Sequence, residues 1–321
     1  MFLLKRISTF VLDCLPAAWR DYLFSIKRFG TKQRIFPQQE TIIFFTEKGK
    51  WHGGLCDRFK GIISLFHFCL CNEIVFKINH TFPFDLSDFL LPNEYNWLIG
   101  SEEISFHRQE AQLLNIIGDA SIDRLVNLKS KKQIHAFANR DVVSILNAKY
   151  DTNFTWGEIF KKLFRPCHEL QEDIDRHIKI IGTKYVCAVL RFQNLLGDFE
   201  EYGFKPLHSY NEKKSLIKKC KQAIIELQQK ENCKILTTSD SQTFLRELND
   251  IKNVYAFPSK IVHIDSVEGE KKNVYMKSFL DFYLLSESEK IFSIGSDIMY
   301  DSDFPRYAAK VNNIPFERIL I

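Results

Sequence analysis

Short apolar runs alternate along the chain with stretches whose apolar residues recur every three or four positions. Glycines and polar clusters separate them. The first apolar run is Thr41 to Thr46, TIIFFT. Gly53 and Gly54 then break the chain, and residues 55 to 71 place Phe59, Ile62, Ile63 and Phe66 at helical spacing. Glu73 to Ile78 predicts the next strand, which completes a β-loop-α-β unit of the kind that builds parallel sheets. Gln133 to Ala138 predicts another strand and Arg140 to about Tyr150 a helix. Residues 155 to 181 predict a helical connection. Tyr185 to Leu190, YVCAVL, is apolar throughout, as expected for a strand buried on both faces. Beyond it, predicted strands at Lys234–Thr238, Asn253–Phe257 and Lys290–Ile294 alternate with predicted helices at Asn211–Lys230, Ser241–Leu248, about Asn273–Leu285 and Phe304–Val311.

This alternation implies two α/β domains of the doubly wound, Rossmann-like kind facing a cleft, 1–160 and 161–321. The length of 321 residues agrees, at roughly 150 residues per domain. Apolar residues make up 45% and charged residues 26%, as in a soluble globular protein. The 44 Lys and Arg against 40 Asp and Glu leave a net charge of +4. That lacks the concentrated basic excess of a nucleic-acid binder and suits a protein that handles small anions. The eight cysteines form no Cys-x-x-Cys pair and no zinc spacing. Cys69, Cys71 and Cys187 sit inside apolar runs as small buried hydrophobes, which points to a reducing, cytoplasmic compartment. No run approaches the ~18 apolar residues of a spanning helix, and no small-residue cleavage site follows the N-terminal apolar stretch.

Residues 1 to 34 predict one or two short amphipathic helices with a basic face of Lys5, Arg6, Arg20, Lys27, Arg28, Lys32 and Arg34. Two readings stand: a helix packed on its domain, or peripheral attachment to the anionic inner face of a membrane.

Three segments fall at strand ends, where open α/β sheets bind ligands. His52-Gly53-Gly54-Leu55-Cys56-Asp57-Arg58 joins a strand to a helix. Its glycines let backbone amides approach an anion, and Arg58 adds a formal charge, though two glycines also make an ordinary turn. Val189-Leu190-Arg191-Phe192-Gln193-Asn194 ends an apolar strand in an arginine whose planar fork matches phosphate oxygens. Its structural alternative is an ion pair to Asp198 or Glu200. In Leu236-Thr237-Thr238-Ser239-Asp240-Ser241, either Asp240 or Ser241 serves as a helix N-cap, or Asp240 accepts hydrogen bonds from a base or ribose.

In this order the three segments resemble the motifs of the GT-B fucosyltransferase superfamily, which holds the nodulation, α1,6- and protein O-fucosyltransferases and bacterial polysaccharide relatives. The family's Gly-Leu-Gly-Asn/Asp-Arg turn corresponds to Gly54-Leu55-Cys56-Asp57-Arg58, continued by Gly61-Ile62-Ile63-Ser64. Its His-x-Arg-Arg-x-Asp corresponds to residues 189 to 194, and its Thr-Asp or Ser-Asp to Ser239-Asp240. Its Asp-x-x-Leu-Leu-Ser corresponds to Asp281-Phe282-Tyr283-Leu284-Leu285-Ser286. Its closing Ser-x-Phe-Ser and Ala-Ala correspond to Ser302-Asp303-Phe304-Pro305 and Ala308-Ala309. The resemblance runs from about residue 50 to 313. Val189 replaces the family's His, Phe192 its second Arg and Asn194 its Asp, so only Arg191 survives of that motif.

The resemblance implies a GT-B-like fold and an inverting, metal-independent transfer of fucose from GDP-fucose to a bacterial surface glycan, in polysaccharide biosynthesis. The C-terminal domain would hold the donor and the N-terminal domain the acceptor, a glycan or lipid-linked saccharide. It implies that Arg191 meets the β-phosphate, and a donor site of Gly53, Gly54, Arg58, Arg191, Ser239, Asp240, Ser241, His263, Ser302 and Phe304. The departing diphosphate gains negative charge that Arg191, helix N-termini and hydroxyls such as Ser302 neutralise. The acceptor hydroxyl needs a general base, with Asp57 as the candidate and His52 second; helix capping or a pair with Arg58 is the alternative for Asp57. No cofactor is called for. The competing readings are a transferase using another nucleotide sugar, a metal-dependent one using Asp301 and Asp303 or Asp173 and Asp175, and a non-catalytic binding relative.

Overall fold

In a computed structural model of the chain, the described residues are 16–128, 132–198, 205–257, 264 and 271–321. Lys5, Arg6, Glu200 and His263 lie outside them. The elements, in chain order, are α1 (Ala17–Arg28), β1 (Thr41–Thr46), α2 (Leu55–Asn72), β2 (Val75–His80), β3 (Leu90–Pro92), β4 (Ala111–Ile116), α3 (Asp123–Val126), β5 (Gln133–Ala138), α4 (Val143–Tyr150), α5 (Trp156–Leu163), β6 (Phe164–Pro166), α6 (His168–Ile181), β7 (Tyr185–Leu190), α7 (Tyr210–Glu231), β8 (Lys234–Ser239), α8 (Gln242–Arg246), β9 (Val254–Ala256), α9 (Lys272–Ser286), β10 (Ile291–Gly295), α10 (Asp303–Asn312) and β11 (Phe316–Leu320). Among the described residues no helix is long and apolar enough to cross a membrane.

The chain forms two compact units with interleaved sequence ranges. The first holds Met1–Thr46, Lys60–His80 and Asn96–Asn153, and the second Glu47–Phe59, Thr81–Tyr95 and Phe154–Ile321. The first unit is built on a parallel sheet in the order β2-β1-β5-β4. Its inner strands β1 and β5 are buried along their whole length, whereas the edge strand β2 alternates. That difference follows from pairing: a central strand is covered on both faces, an edge strand is not. Gly61 on α2 marks a close helix–strand approach. A methyl there would stand 2.1 Å from the Ala138 carbonyl oxygen.

Of the basic residues expected on one face of the N-terminal stretch, Arg20 and Lys27 of α1 are exposed, whereas Arg28 is turned inward. Arg28 is buried, its Nε donates to His135 Nδ1 at 2.8 Å, and its guanidinium lies 4.3 Å from the centre of the Phe45 ring. The segment after α1 is tied down by Glu110, which accepts from Arg34 Nε at 2.9 Å, the Ile35 amide at 3.1 Å and the Ser105 hydroxyl at 2.7 Å. Burial alone would push the Glu110 carboxyl up, but these donors and the Phe36 amide hold it down to about 2.

His135 has its pKa well below the ordinary 6.5, first through burial and then through the Arg28 charge. The unfolded chain therefore takes up a proton near pH 6.5 that the folded chain refuses, so stability is present above that pH and is lost below it. We expect His135→Gln, which keeps an acceptor for Arg28, to flatten the fall in unfolding free energy between pH 7 and 5 by up to about 1.4 kcal/mol per pH unit. His67 and His177 are shifted in the same direction, so the acid limb shrinks without vanishing. Equal slopes for variant and parent in urea titrations would refute this.

The second unit carries a parallel sheet in the order β11-β10-β7-β8-β9. From β7 the chain builds outward through β8 and β9, then returns to the other side of β7 with β10 and β11. The strand order thus reverses between β7 and β10. β7 and β10 are buried throughout, as the apolar run of β7 and the largely apolar β10, broken only by Ser293, lead one to expect. Their core includes Val186, Ala188, Leu190, Phe292 and Ile294 with Leu216, Cys220 and Ile224 of α7. Burial pushes the Cys220 thiol up to about 12, in keeping with its role as packing. Of the α7 lysines at 213, 214, 218, 219 and 221, whose run reads from sequence as a solvated face, those at 214, 218 and 219 are exposed and those at 213 and 221 partly buried.

The predicted helical connection over 155–181 is broken in two. α5 and α6 are separated by β6, which pairs antiparallel with β3. Pro166 lacks an amide donor and cannot continue a helix from α5. β4 and β11 were not predicted.

Candidate functional site

A cavity in the second unit opens at the carboxyl ends of β7 and β8, beside the strand-order reversal. Its wall includes Val189, Leu190 and Arg191 after β7, Thr238, Ser239 and Asp240 after β8, and Tyr300, Ser302, Asp303 and Phe304 at the start of α10. The first turn of α2 adds Gly54, Leu55 and Asp57. This is where doubly wound sheets hold ligands, because the strand ends and helix N-termini leave a crevice lined by backbone amides.

Among the described residues Arg191 has a carboxylate partner in Asp240, and the alternative Glu200 lies outside them. Its Nη1 lies 3.1 Å from Asp240 Oδ2, while the arginine side chain keeps 21% exposure on the cavity wall. The pairing follows from register. Leu190 is opposite Ser239 across the β7–β8 ladder, so the next residue on each strand falls side by side. Asp240 also accepts the Phe192 amide at 2.8 Å and the Gln193 amide at 2.7 Å. Gln193 has φ of 51°, in the left-handed region, so the carboxylate fastens a strained turn directly behind Arg191. Burial pushes the Asp240 pKa up, and Arg191 and the amides oppose it. Both Asp240 oxygens are therefore engaged inside the protein.

Ser241 caps α8: its Oγ accepts the Phe244 amide at 3.1 Å and donates to Asp198 Oδ2 at 2.9 Å. It stands behind the cavity wall, whereas Ser239 is on it. Ser302 caps α10, accepting the Phe304 amide at 3.2 Å, and both residues line the cavity.

The glycine turn divides in the same way. Gly54 and Asp57 reach the cavity; Gly53 and Arg58 brace the turn from behind. Arg58 is buried, with Nε donating to the Gly53 carbonyl at 3.2 Å and Nη1 to the Phe82 carbonyl at 2.7 Å. A buried guanidinium needs oxygens, and two backbone carbonyls supply them, so Arg58 braces the turn and is not on the cavity wall. His52 is also buried, its Nε2 within 2.9 Å of the Glu47 amide and 3.1 Å of the Glu47 carbonyl. That nitrogen is engaged in the local turn.

Gly53 has φ of +79°, and a methyl there would fall 2.3 Å from Asp57 Oδ2 and 2.7 Å from its Cβ. We expect Gly53→Ala to cost about 1 kcal/mol or more and to displace the Asp57 carboxylate. Thermal melting and a crystal structure of the variant test this; an unmoved Asp57 at parental stability would contradict it.

Asp281, quoted from sequence only as the head of its Asp-x-x-Leu-Leu-Ser segment, has a charged partner that was not singled out from sequence. Lys277 and Asp281 form an ion pair, both buried, on α9, and Asp281 reaches the cavity wall. Burial pushes the Asp281 pKa up and Lys277 opposes it. The available signal was a Lys and an Asp at i,i+4 in a helix otherwise apolar on every side, where charges must pair.

The acidic triplets proposed for metal are otherwise occupied. Asp301 Oδ1 lies 3.3 Å from Arg318, and Asp303 Oδ1 lies 2.7 Å from Arg306. Asp173 pairs with Arg176, and Asp175 accepts from Gln171 at 2.9 Å. Among the described residues no group of three His, Cys, Asp or Glu is placed to hold a metal ion.

No family model matches the chain, and no curated protein matches it in sequence. Solved structures do match in fold. A mutant of Arabidopsis thaliana FUT1 in complex with GDP superposes with a TM-score of 0.57 at 12% identity, covering 92% of this chain and 74% of that one. The NodZ alpha-1,6-fucosyltransferase soaked with GDP-fucose gives 0.51 at 10% identity, over 85% of this chain and 93% of that one. The fucosyltransferase NodZ from Bradyrhizobium gives 0.50 at 12% identity, over 84% and 93%. The chain thus has the GT-B-like α/β fold of these enzymes, with one parallel sheet in each of its two units.

Proposed function

We propose that this chain is an inverting, metal-independent glycosyltransferase that takes its sugar from a nucleoside diphosphate, with GDP-fucose as the donor. The observation that carries the reading is Arg191, held by Asp240 at the carboxyl end of β7, on the wall of a cavity at the strand-order reversal. Two fold neighbours were solved with GDP or GDP-fucose, which supports the same donor class.

Breaking the bond from the sugar's anomeric carbon to the β-phosphate oxygen leaves negative charge on the diphosphate. Arg191 offers it a guanidinium, and the first turn of α10 offers amides and the Ser302 hydroxyl. Gly54, Ser239 and Phe304 complete the donor wall. The Asp281 carboxylate is an acceptor, and guanine presents two adjacent N–H donors on one edge where uracil presents one. The acceptor hydroxyl attacks from the face opposite the leaving group, which inverts the anomeric centre, and Asp57 takes its proton. The acceptor is a bacterial surface glycan or its lipid-linked precursor, and the work is done in the cytoplasm.

A second reading has a specific observation behind it. Val189 on the cavity wall, with Phe192 and Asn194 nearby, stands where the resembled family has His, Arg and Asp. A relative that binds the nucleotide sugar without turning it over would tolerate those changes. Purified protein incubated with GDP-fucose, a glycan acceptor and EDTA separates the two. The transferase reading expects acceptor-dependent release of GDP. Tight GDP-fucose binding with no release would favour the binding relative, and loss of turnover to EDTA with rescue by manganese would overturn metal independence.

A further inference from the structure

We propose that the outward face of α1 is a docking surface for an anionic lipid bilayer. A helix on the surface of a soluble unit ordinarily turns its apolar stripe inward and its charges to water. α1 reverses part of that order. Trp19, Tyr22 and Ile26, spaced three and four residues apart, are 59%, 59% and 44% exposed, and the Trp19 and Tyr22 rings meet edge to face at 6.2 Å. The inward side holds charge beside Phe24, whose ring packs on the core cluster of Ile43, Phe45 and Phe137: Asp21 accepts from Arg124 at 2.8 Å and Asn115 at 2.7 Å, and Arg28 donates to His135. Asp21 is held by β4 and α3 and Arg28 by β5, so the aromatic face is not an accident of a helix lying loosely.

The chemistry of that face selects the occupant. Trp and Tyr combine an apolar ring with a polar tip and favour the headgroup level of a bilayer. Arg20 and Lys27 flank them and are exposed, while the sole carboxylate of α1, Asp21, faces the sheet. The charge offered outward by this helix is therefore entirely positive, complementary to an anionic leaflet. A second copy of the chain is a poorer occupant, since two such faces would oppose Arg20 and Lys27 to each other. The docking surface is separate from the cavity and does not depend on what the cavity binds.

The test is co-sedimentation of the full chain with vesicles of phosphatidylcholine alone and with one-third phosphatidylglycerol. The expected result is binding to the anionic vesicles only, weakened about tenfold by Trp19→Ser with Tyr22→Ser, and weakened also by Arg20→Gln with Lys27→Gln. Both double variants alter exposed side chains, so unchanged melting is expected and shows that the fold survives. Equal binding by parent and variants, or no binding to either vesicle, would overturn the assignment. So would a dimer in sedimentation equilibrium that the Trp19→Ser, Tyr22→Ser variant abolishes, since that would give the face to a second copy.

Discussion

Arg191→Lys is expected to lower sugar transfer by about 10²–10³-fold while the protein melts close to the parent temperature. The lysine keeps a positive charge beside Asp240, whose carboxylate is 1% exposed and 3.1 Å from the native guanidinium. It loses the planar fork that contacts a phosphate in two directions. Arg191→Ala should fail differently. It removes the countercharge of a buried carboxylate and so lowers stability along with activity. The contrast between the two variants separates a role in transfer from a role in folding. Parental turnover by Arg191→Lys would remove the arginine from the chemistry.

Asp240→Ala carries the largest expected effect on stability, about 3–5 kcal/mol in urea unfolding. It would strand the Phe192 and Gln193 amides and Arg191 together, and release the left-handed turn at Gln193. Asp240→Asn retains one carbonyl acceptor and should fall between. If Asp240 served chiefly to read a base or ribose, the ranking would change: stability would stay within about 1 kcal/mol of the parent and GDP affinity would take the loss.

What could be read from the chain followed from burial. TIIFFT, YVCAVL and the run from Ile291 to Ile294 are legible as strands because inner strands of parallel sheets have no polar side to show. β4, AQLLNI, mixes polar residues into its run and is only partly buried, so no strand period stands out. β3 and β6 are three residues each and exist only because they meet. The position of Arg191 at a strand end was legible, but its partner was not. Asp240 comes within reach only through the β7–β8 register, which local pattern does not encode. Arg28 and Arg58 show the same limit. Arginine in a sequence suggests a solvated or ligand-facing charge, and here a histidine nitrogen and two carbonyls draw these residues inside. Lys277 was overlooked, and Asp281 noted only within its segment, because an apolar helix suggests packing, and a paired charge inside it becomes visible only with the fold.

The proposed chemistry requires the cavity beside Arg191 to receive a nucleoside diphosphate. Calorimetric titration of the parent and of Arg191→Lys with GDP, UDP, CDP and dTDP in EDTA measures this. One molecule of GDP per chain is expected, preferred over the other three and weakened at least about tenfold by the substitution. Failure of all four nucleotides to bind, or GDP binding of equal strength in both proteins, would contradict it.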